Sequence, residues 1–488
     1  MKSVRCTRFL FSSLALLSCL TSSASCSGAP VKPDDLPRPL RSLQAFGARG
    51  DGVADDTAAL RKALARSDQF CLDGGGLTYS VKGTLRATKN LCLVNMRLAQ
   101  HQTAYDTRAM IHGSCPPVSD PAAIVSCGDR VLSGDPPSDL LDYLNLRTLL
   151  VRPDSGSLSV FMNNVIVDKG SDPRSGSRSD AAGIWIDQAS SVSLTDVEIT
   201  GAGKGFGLFI SASRNIVLTR LNVHDLTWAP YAGDADLTVP AVAAKGWNTF
   251  PIREFRVAGQ DGAKMTGFQG VRVQEQISCV TFVRSHQIVL RDTKIERCGA
   301  RFVEGFIPWQ ADGLTVGGPS SDLTIEGDTR IASTWEGIDL VGSGDGIDRV
   351  RITGATISDS FSFGVKWGYK LTNAVLEGTT VTNAGLAGVV IYGPVRAAMV
   401  RDVRISGVGT VRFPGGFSSP WRDDKVGLLI SKGAIPGTEN FYPQDIGIDH
   451  LSVDGGPGCE RAYLNKGGTR IRVERSKLEK CLTASTPG

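Results

Sequence analysis

One short phrase recurs along the chain: a residue, then glycine, then alternating apolar positions. It reads AGIWID at 182–187, FGLFIS at 206–211, DGLTVG at 312–317, EGIDLV at 336–341, FGVKWG at 363–368 and AGVVIY at 387–392. The glycines fall at 183, 207, 313, 337, 364 and 388, separated by 24, 106, 24, 27 and 24 residues. After Gly183 the apolar alternation resumes at Val192, Leu194, Val197 and Ile199. After Gly207 it resumes at Ile216, Leu218, Leu221 and Val223, at the same offsets. Alternation with period two is a strand pattern, and nothing helical fits it. A unit of about 24 residues made of two or three short strands cannot bury its apolar face alone. Stacked coils can, with parallel strands about 4.8 Å apart and inward residues in continuous ladders. The expected fold class is therefore all-β, a parallel β-helix. A leucine-rich repeat would need its L-x-x-L-x-L-x-x-N signature, and a propeller would need Trp-Asp marks at about 40 residues.

Composition agrees where it bears on this. Glycine supplies 56 of 488 residues, and the expected cause is turns between coils that need positive φ and small residues. With 41% hydrophobic and 21% charged residues, global disorder is excluded.

The N-terminus reads as an export signal over 1–25. Lys2, Arg5 and Arg8 precede an apolar run from Phe9 to Leu17, too short to span a bilayer. Two processing readings stay open: lipidation at Cys19 in Leu16-Leu17-Ser18-Cys19, or cleavage near Ser23-Ala24-Ser25. Residues 26–40 hold four prolines and read as a linker, leaving 41–488 as one β-helix domain. The formal net charge of +4 falls to +1 once the three leader cations are removed, so no nucleic-acid partner is implied. The expected location is outside the cytoplasm: periplasmic, outer-membrane lipoprotein or secreted, with membrane contact only through a lipid anchor. Eight later cysteines form neighbouring couples, 71/92, 115/127, 279/298 and 459/481, which suggests disulfides of undetermined connectivity. None has zinc-site spacing.

The stretch Ala45-Phe46-Gly47-Ala48-Arg49-Gly50-Asp51-Gly52-Val53-Ala54-Asp55-Asp56-Thr57 runs into Ala58-Ala59-Leu60-Arg61-Lys62-Ala63-Leu64. Locally this is a glycine-rich turn, an Asp/Thr N-cap and a short helix, expected to cap the open end of the solenoid. The stretch resembles the F-G-A-x-G-D-G-x-x-D-D-T opening of the pectate-lyase superfamily, which includes polygalacturonases. With the coils, the resemblance covers roughly residues 41–480. It implies a right-handed β-helix acting on polysaccharide, and leaves hydrolase, lyase, epimerase and pure binder open.

The phrase also sets a register. If Ile184, Leu208, Leu314, Ile338, Val365 and Val389 point inward, then Trp185, Phe209, Thr315, Asp339, Lys366 and Val390 form an outward stripe. A second stripe holds Ala182, Phe206, Asp312, Glu336, Phe363 and Ala387. Asp312 and Glu336 are then one coil apart. Stacked carboxylates repel, so one keeps its proton to higher pH, as acid–base glycoside hydrolysis requires. The bland alternative makes them solvated turn residues. Gln310-Ala311-Asp312-Gly313 resembles the N-T-D-G phrase of polygalacturonases, whose Asp is catalytic. Trp335-Glu336, Phe363-Gly364 and Val390/Tyr392 depart from that family's further acids, histidine and cations.

The expected catalytic set is Asp312, Glu336, Asp339 and Lys366: the first two as acid and base or nucleophile, Asp339 assisting, Lys366 orienting an acidic or hydroxyl group. An alternative is uronate β-elimination or C5-epimerisation, with Lys366 as base if its pKa is lowered. A further alternative is a non-catalytic envelope protein that binds glycan. Trp185, Phe209, Trp247, Trp335, Tyr392 and Trp421 are candidates for stacking on sugars. Excursions near 226–268 and 408–425 are expected to wall the groove, and the 106-residue gap has length for more than four coils. His224 and His286 fall where turns are expected. The partner is a polysaccharide, uronate-containing in one reading. No cofactor is expected; Ca²⁺ at Asp312, Glu336 and Asp339 is a weak signal without carbonyl ligands.

Overall fold

A computed structural model describes residues 36–101, 147–170, 182–201, 206–226, 278–298, 311–342, 345–410, 425–432, 441–456, 458–478 and Cys481, with the backbone of five short strands between 249 and 308. The chain winds as a parallel β-helix. One face of the coil carries eleven parallel strands among the described residues, including Ala182–Asp187, Phe206–Ser211, Val280–Val283, Leu314–Gly317, Ile338–Val341, Phe363–Gly368, Ala387–Tyr392 and Val426–Ser431. The other two faces follow in sequence, as in Ile347–Thr353 with Thr356–Ser358 and Leu371–Glu377 with Thr380–Thr382, each paired in parallel with the coil above. In the first coils, single long strands such as Leu158–Asp168 and Ala189–Thr200 run through both.

The inward ladder is the one the phrase predicts. Ile184, Leu208, Leu314, Ile338, Val365 and Val389 are all fully buried and stack in register. Val280 belongs to the same ladder, between Leu208 and Leu314. Among the described residues the 106-residue gap holds one coil, Val280–Val283 with His286–Arg291 and Lys294–Cys298. The short strands Thr249–Phe250, Glu254–Arg256, Lys264–Thr266 and Val271–Gln274 pair outside the coil sheets. The rest of the 226–268 stretch, residues 411–424 of the second excursion, and residues 1–35 lie outside the described residues.

The anchoring glycines need a different explanation from the one composition suggested. None of the six has positive φ. A Cβ on Gly337 would meet Ile357 Cγ2 at 2.4 Å and the Gly364 carbonyl at 2.5 Å. On Gly313 it would meet Ile331 Cγ2 at 2.5 Å and the Gly337 carbonyl at 2.7 Å. These glycines exist because the coil corner presses against the next coil, leaving no room for a side chain. Positive φ occurs instead at turn glycines such as Gly327 and Gly354, and at many residues that are not glycine.

Those other residues stack. Asn215, Gln287, Asp322, Arg349, Asn373, Ala397, Asp445 and Arg470 all have φ between 52° and 58°, each one coil above the last. The strand registers on either side align them. Polar side chains in this left-handed crease pair between coils. Arg349 Nε donates to Asp322 Oδ1 at 2.5 Å, and Arg470 Nε to Asp445 Oδ1 at 2.5 Å.

At the N-terminal end a helix spans Thr57–Leu64, with Leu60, Ala63 and Leu64 buried. Leu60 and Leu64 line an apolar space with Leu72, Leu85, Leu93 and Leu149 of the first coils. The paired aspartates before it divide their work. Asp56 accepts from the Arg49 and Gly50 amides at 2.7 and 3.1 Å and so clamps the glycine-rich turn. Asp55 accepts from the Thr57 amide and hydroxyl at 3.1 and 2.6 Å. Disulfides join Cys71–Cys92, Cys279–Cys298 and Cys459–Cys481; Cys115 and Cys127 lie outside the described residues. His224 and His286 sit in strands Asn222–Leu226 and His286–Arg291, not in turns.

Candidate functional site

The outward stripe on the first face reads Trp185, Phe209, Thr281, Thr315, Asp339, Lys366 and Val390, paired residue to residue by the sheet. The second stripe is set by backbone hydrogen bonds. The Cys279 amide donates to the Asp312 carbonyl, and the Gly313 amide to the Glu336 carbonyl, both at 2.9 Å. Asp312, Glu336, Asp339 and Lys366 therefore converge from three successive coils. They are 4, 3, 6 and 9% exposed, which removes the reading of solvated turn residues. One oxygen from each acid lies within 4.8 Å of the others.

Lys366 binds two of the three acids. Its Nζ donates to Glu336 Oε2 at 2.6 Å and lies 3.1 Å from Asp339 Oδ2. Asp312 instead accepts from the Thr315 hydroxyl at 3.2 Å, and Thr315 Oγ1 lies 3.3 Å from Ser278 Oγ. Asp312 Oδ1 and Asp339 Oδ1 are buried without a hydrogen-bond partner.

The electrostatics follow from three acids sharing one cation away from water. Burial, reinforced by the Asp339 charge, pushes the Asp312 carboxyl up to about 7. Burial also raises Glu336 and Asp339 against the opposing pull of Lys366. Burial pulls Lys366 down, but Asp339 and Glu336 outweigh it and hold the ammonium well above its usual value. A lysine so held is a permanent cation. It cannot be the base of a β-elimination, which removes the support for that role.

The three acids offer one ligand atom each, so a Ca²⁺ site is only weakly implied. Calcium takes six to eight oxygen ligands, whereas here the Lys366 ammonium already occupies the space between Glu336 and Asp339.

The aromatic candidates separate. Phe209 and Phe206 are half-buried with ring centroids 4.7 Å apart, and Phe209 lies 4.1 Å from Trp185. The Arg147 guanidinium covers the Trp185 ring at 4.4 Å. Trp335 is 6% exposed and stacks on Phe361 at 5.2 Å. Tyr392 is 1% exposed and meets the Tyr369 ring edge-on at 5.2 Å. These contacts correct the expectation that Trp335 and Tyr392 lie open to a sugar. Trp247 and Trp421 lie outside the described residues. The sequence reading missed Thr281 and Ser278, because their coil carries Cys279 where the six coils of the recurring phrase carry glycine.

No family model matches the sequence, and no curated protein matches it. Solved structures similar to the chain include the surface adhesin PfbA of Streptococcus pneumoniae, with TM-score 0.44, 10% identity, and 90% of this chain and 91% of that one covered. Another is the family 28 exopolygalacturonase of Yersinia enterocolitica, with TM-score 0.35, 9% identity and coverage of 91% and 77%. A third is the A-module of the mannuronan C-5 epimerase AlgE6 of Azotobacter vinelandii, with TM-score 0.33, 12% identity and coverage of 90% and 100%. At such scores and identities the chemistry has to be argued from the side chains.

Proposed function

We propose that the protein is an exported glycoside hydrolase in which Asp312 is the general acid. The observation that carries this is a buried carboxyl raised to about 7 within 4.8 Å of two others that are held by an ammonium. Asp339, with one oxygen free of protein partners, is the nucleophile, and Lys366 and Glu336 position it. Asp312 gives its proton to the departing glycosidic oxygen as the Asp339 carboxylate attacks the anomeric carbon. Water then releases the sugar, returning the proton to Asp312. The short spacing supports a retaining course, since inversion needs about 6.5–9.5 Å between carboxyl groups. Access runs past Thr315 and Phe209, the half-buried members of the stripe.

Three disulfides support an oxidising location, and no helix among the described residues is long and apolar enough to cross a membrane. Export through a leader within residues 1–25, ending either before a lipidated Cys19 or near Ser23-Ala24-Ser25, is part of this proposal and is read out by the mass of the mature N-terminus.

The test is a panel of neutral and uronic glycans, following reducing ends and the absorbance of unsaturated products. Reducing ends without unsaturation are expected, lost in Asp312→Asn and Asp339→Asn. Unsaturated products, or full activity in both variants, would sink the assignment. The deep burial of the cluster favours one second reading, a glycan-binding wall without turnover; it predicts binding with no product.

A further inference from the structure

We infer that this site takes an uncharged sugar unit, held through its hydroxyl protons, and rejects uronates; the inference rests on the glycan-processing role proposed for the same cluster. Three buried polar atoms here lack a protein partner: Thr281 Oγ1, Asp312 Oδ1 and Asp339 Oδ1. Their residues are 4, 4 and 6% exposed and lie on neighbouring coils, with Thr281, Thr315 and Asp339 in one register column. Buried polar atoms are normally satisfied, so these three mark where a ligand completes the hydrogen bonding.

Asp339 Oδ1 accepts, and the Asp312 carboxyl, which holds its proton up to about pH 7, both donates and accepts. A sugar hydroxyl brings the matching donor, whereas a uronate carboxylate brings only acceptors and another negative charge. The charge count points the same way. Asp312, Glu336 and Asp339 face Lys366, whose ammonium is already shared between Glu336 and Asp339. A uronate would place a further carboxylate beside Glu336 and Asp339, which already share one ammonium, and like charges so juxtaposed lose affinity steeply. Phe206 and Phe209, half-buried at the end of the polar row, supply the apolar surface that the C–H face of a neutral ring covers.

The test is calorimetric binding of the full chain to three sets of oligosaccharides: neutral β-glucan, xylan and mannan fragments; oligogalacturonates and oligomannuronates; and glucosamine oligomers. At least one neutral oligomer is expected to bind at least about tenfold more tightly than every uronate. Equal or tighter uronate binding, preference for the cationic oligomers, or binding to none of the three sets overturns the inference. Turnover followed in the same samples separates the two claims. Neutral binding without product removes the hydrolase reading and leaves the substrate class standing. Thr281→Val keeps the shape and removes an unpartnered hydroxyl. It is expected to weaken the neutral ligand about 3- to 10-fold at unchanged Tm. Unchanged affinity removes Thr281 from the site. Asp339→Asn, assayed by binding alone, is expected to narrow the gap between neutral and uronate ligands; a gap that stays constant refutes the charge argument.

Discussion

Asp312 and Lys366 sit in the same buried cluster and respond oppositely to it. The Asp312 carboxyl is raised from 3.8 to about 7, so the folded state holds a proton that the unfolded chain releases near pH 4. Its contribution to stability is complete below that pH and is lost as pH rises through about 7. Thermal unfolding of the wild type should therefore lose Tm across this window, and Asp312→Asn should show a flatter profile. The same proton makes the acid limb of the rate. Activity should fall above about pH 7, and Asp312→Asn should lower kcat by about 10²-fold or more. Lys366 compensates two buried carboxylates, so Lys366→Met should cost about 3–5 kcal/mol in urea unfolding at pH 8. The loss should shrink as pH falls, because burial raises both carboxyls and protonation removes the charge that Lys366 balances.

At the scale of the coil, glycine does its work by absence. Gly337→Ala drives a methyl into Ile357 and the Gly364 carbonyl. It should destabilise by about 1–3 kcal/mol in chemical denaturation. The coil phrase was legible because close stacking forces glycine at one corner and alternation beyond it; Asp312, Glu336, Asp339 and Lys366 could be set side by side from that alone. Thr281 was not legible, because Cys279 stands where the phrase demands glycine. The burial of Trp335 and Tyr392 was not legible either. An outward register position says which side of a strand a ring leaves from, and nothing about what lies over it. Lys366 was read as orienting an acidic or hydroxyl group; its raised pKa depends on two acids at contact distance, which spacing along the chain does not give. Cys279–Cys298 fastens the coil whose backbone receives Asp312. Replacing both with alanine should cost about 3 kcal/mol of stability and reduce activity more than replacing Cys459 and Cys481, which lie far along the solenoid.

Across the whole molecule, the left-handed crease has a consequence for how such a chain can vary. From Asn215 to Val223, Gln287 to Ile295, Arg349 to Ile357, Asn373 to Val381, Ala397 to Ile405 and Asp445 to Val453 the chain spends eight residues each time, and from Asp322 to Ile331 it spends nine. Each pair joins the crease to a buried member of the third face. Between Val223 and Cys279, or between Ile405 and Gly427, it spends 56 and 22. The ninth residue of the Asp322 coil is taken up in the turn at Gly327, and Ile331 still pairs with Ile295 and Ile357. Larger gains in length fall at the corners that border the face carrying Asp312 and Lys366. One flank of the molecule is a spine that varies by single residues, and the opposite flank is where descendants of this chain are free to grow new walls around the same four charges.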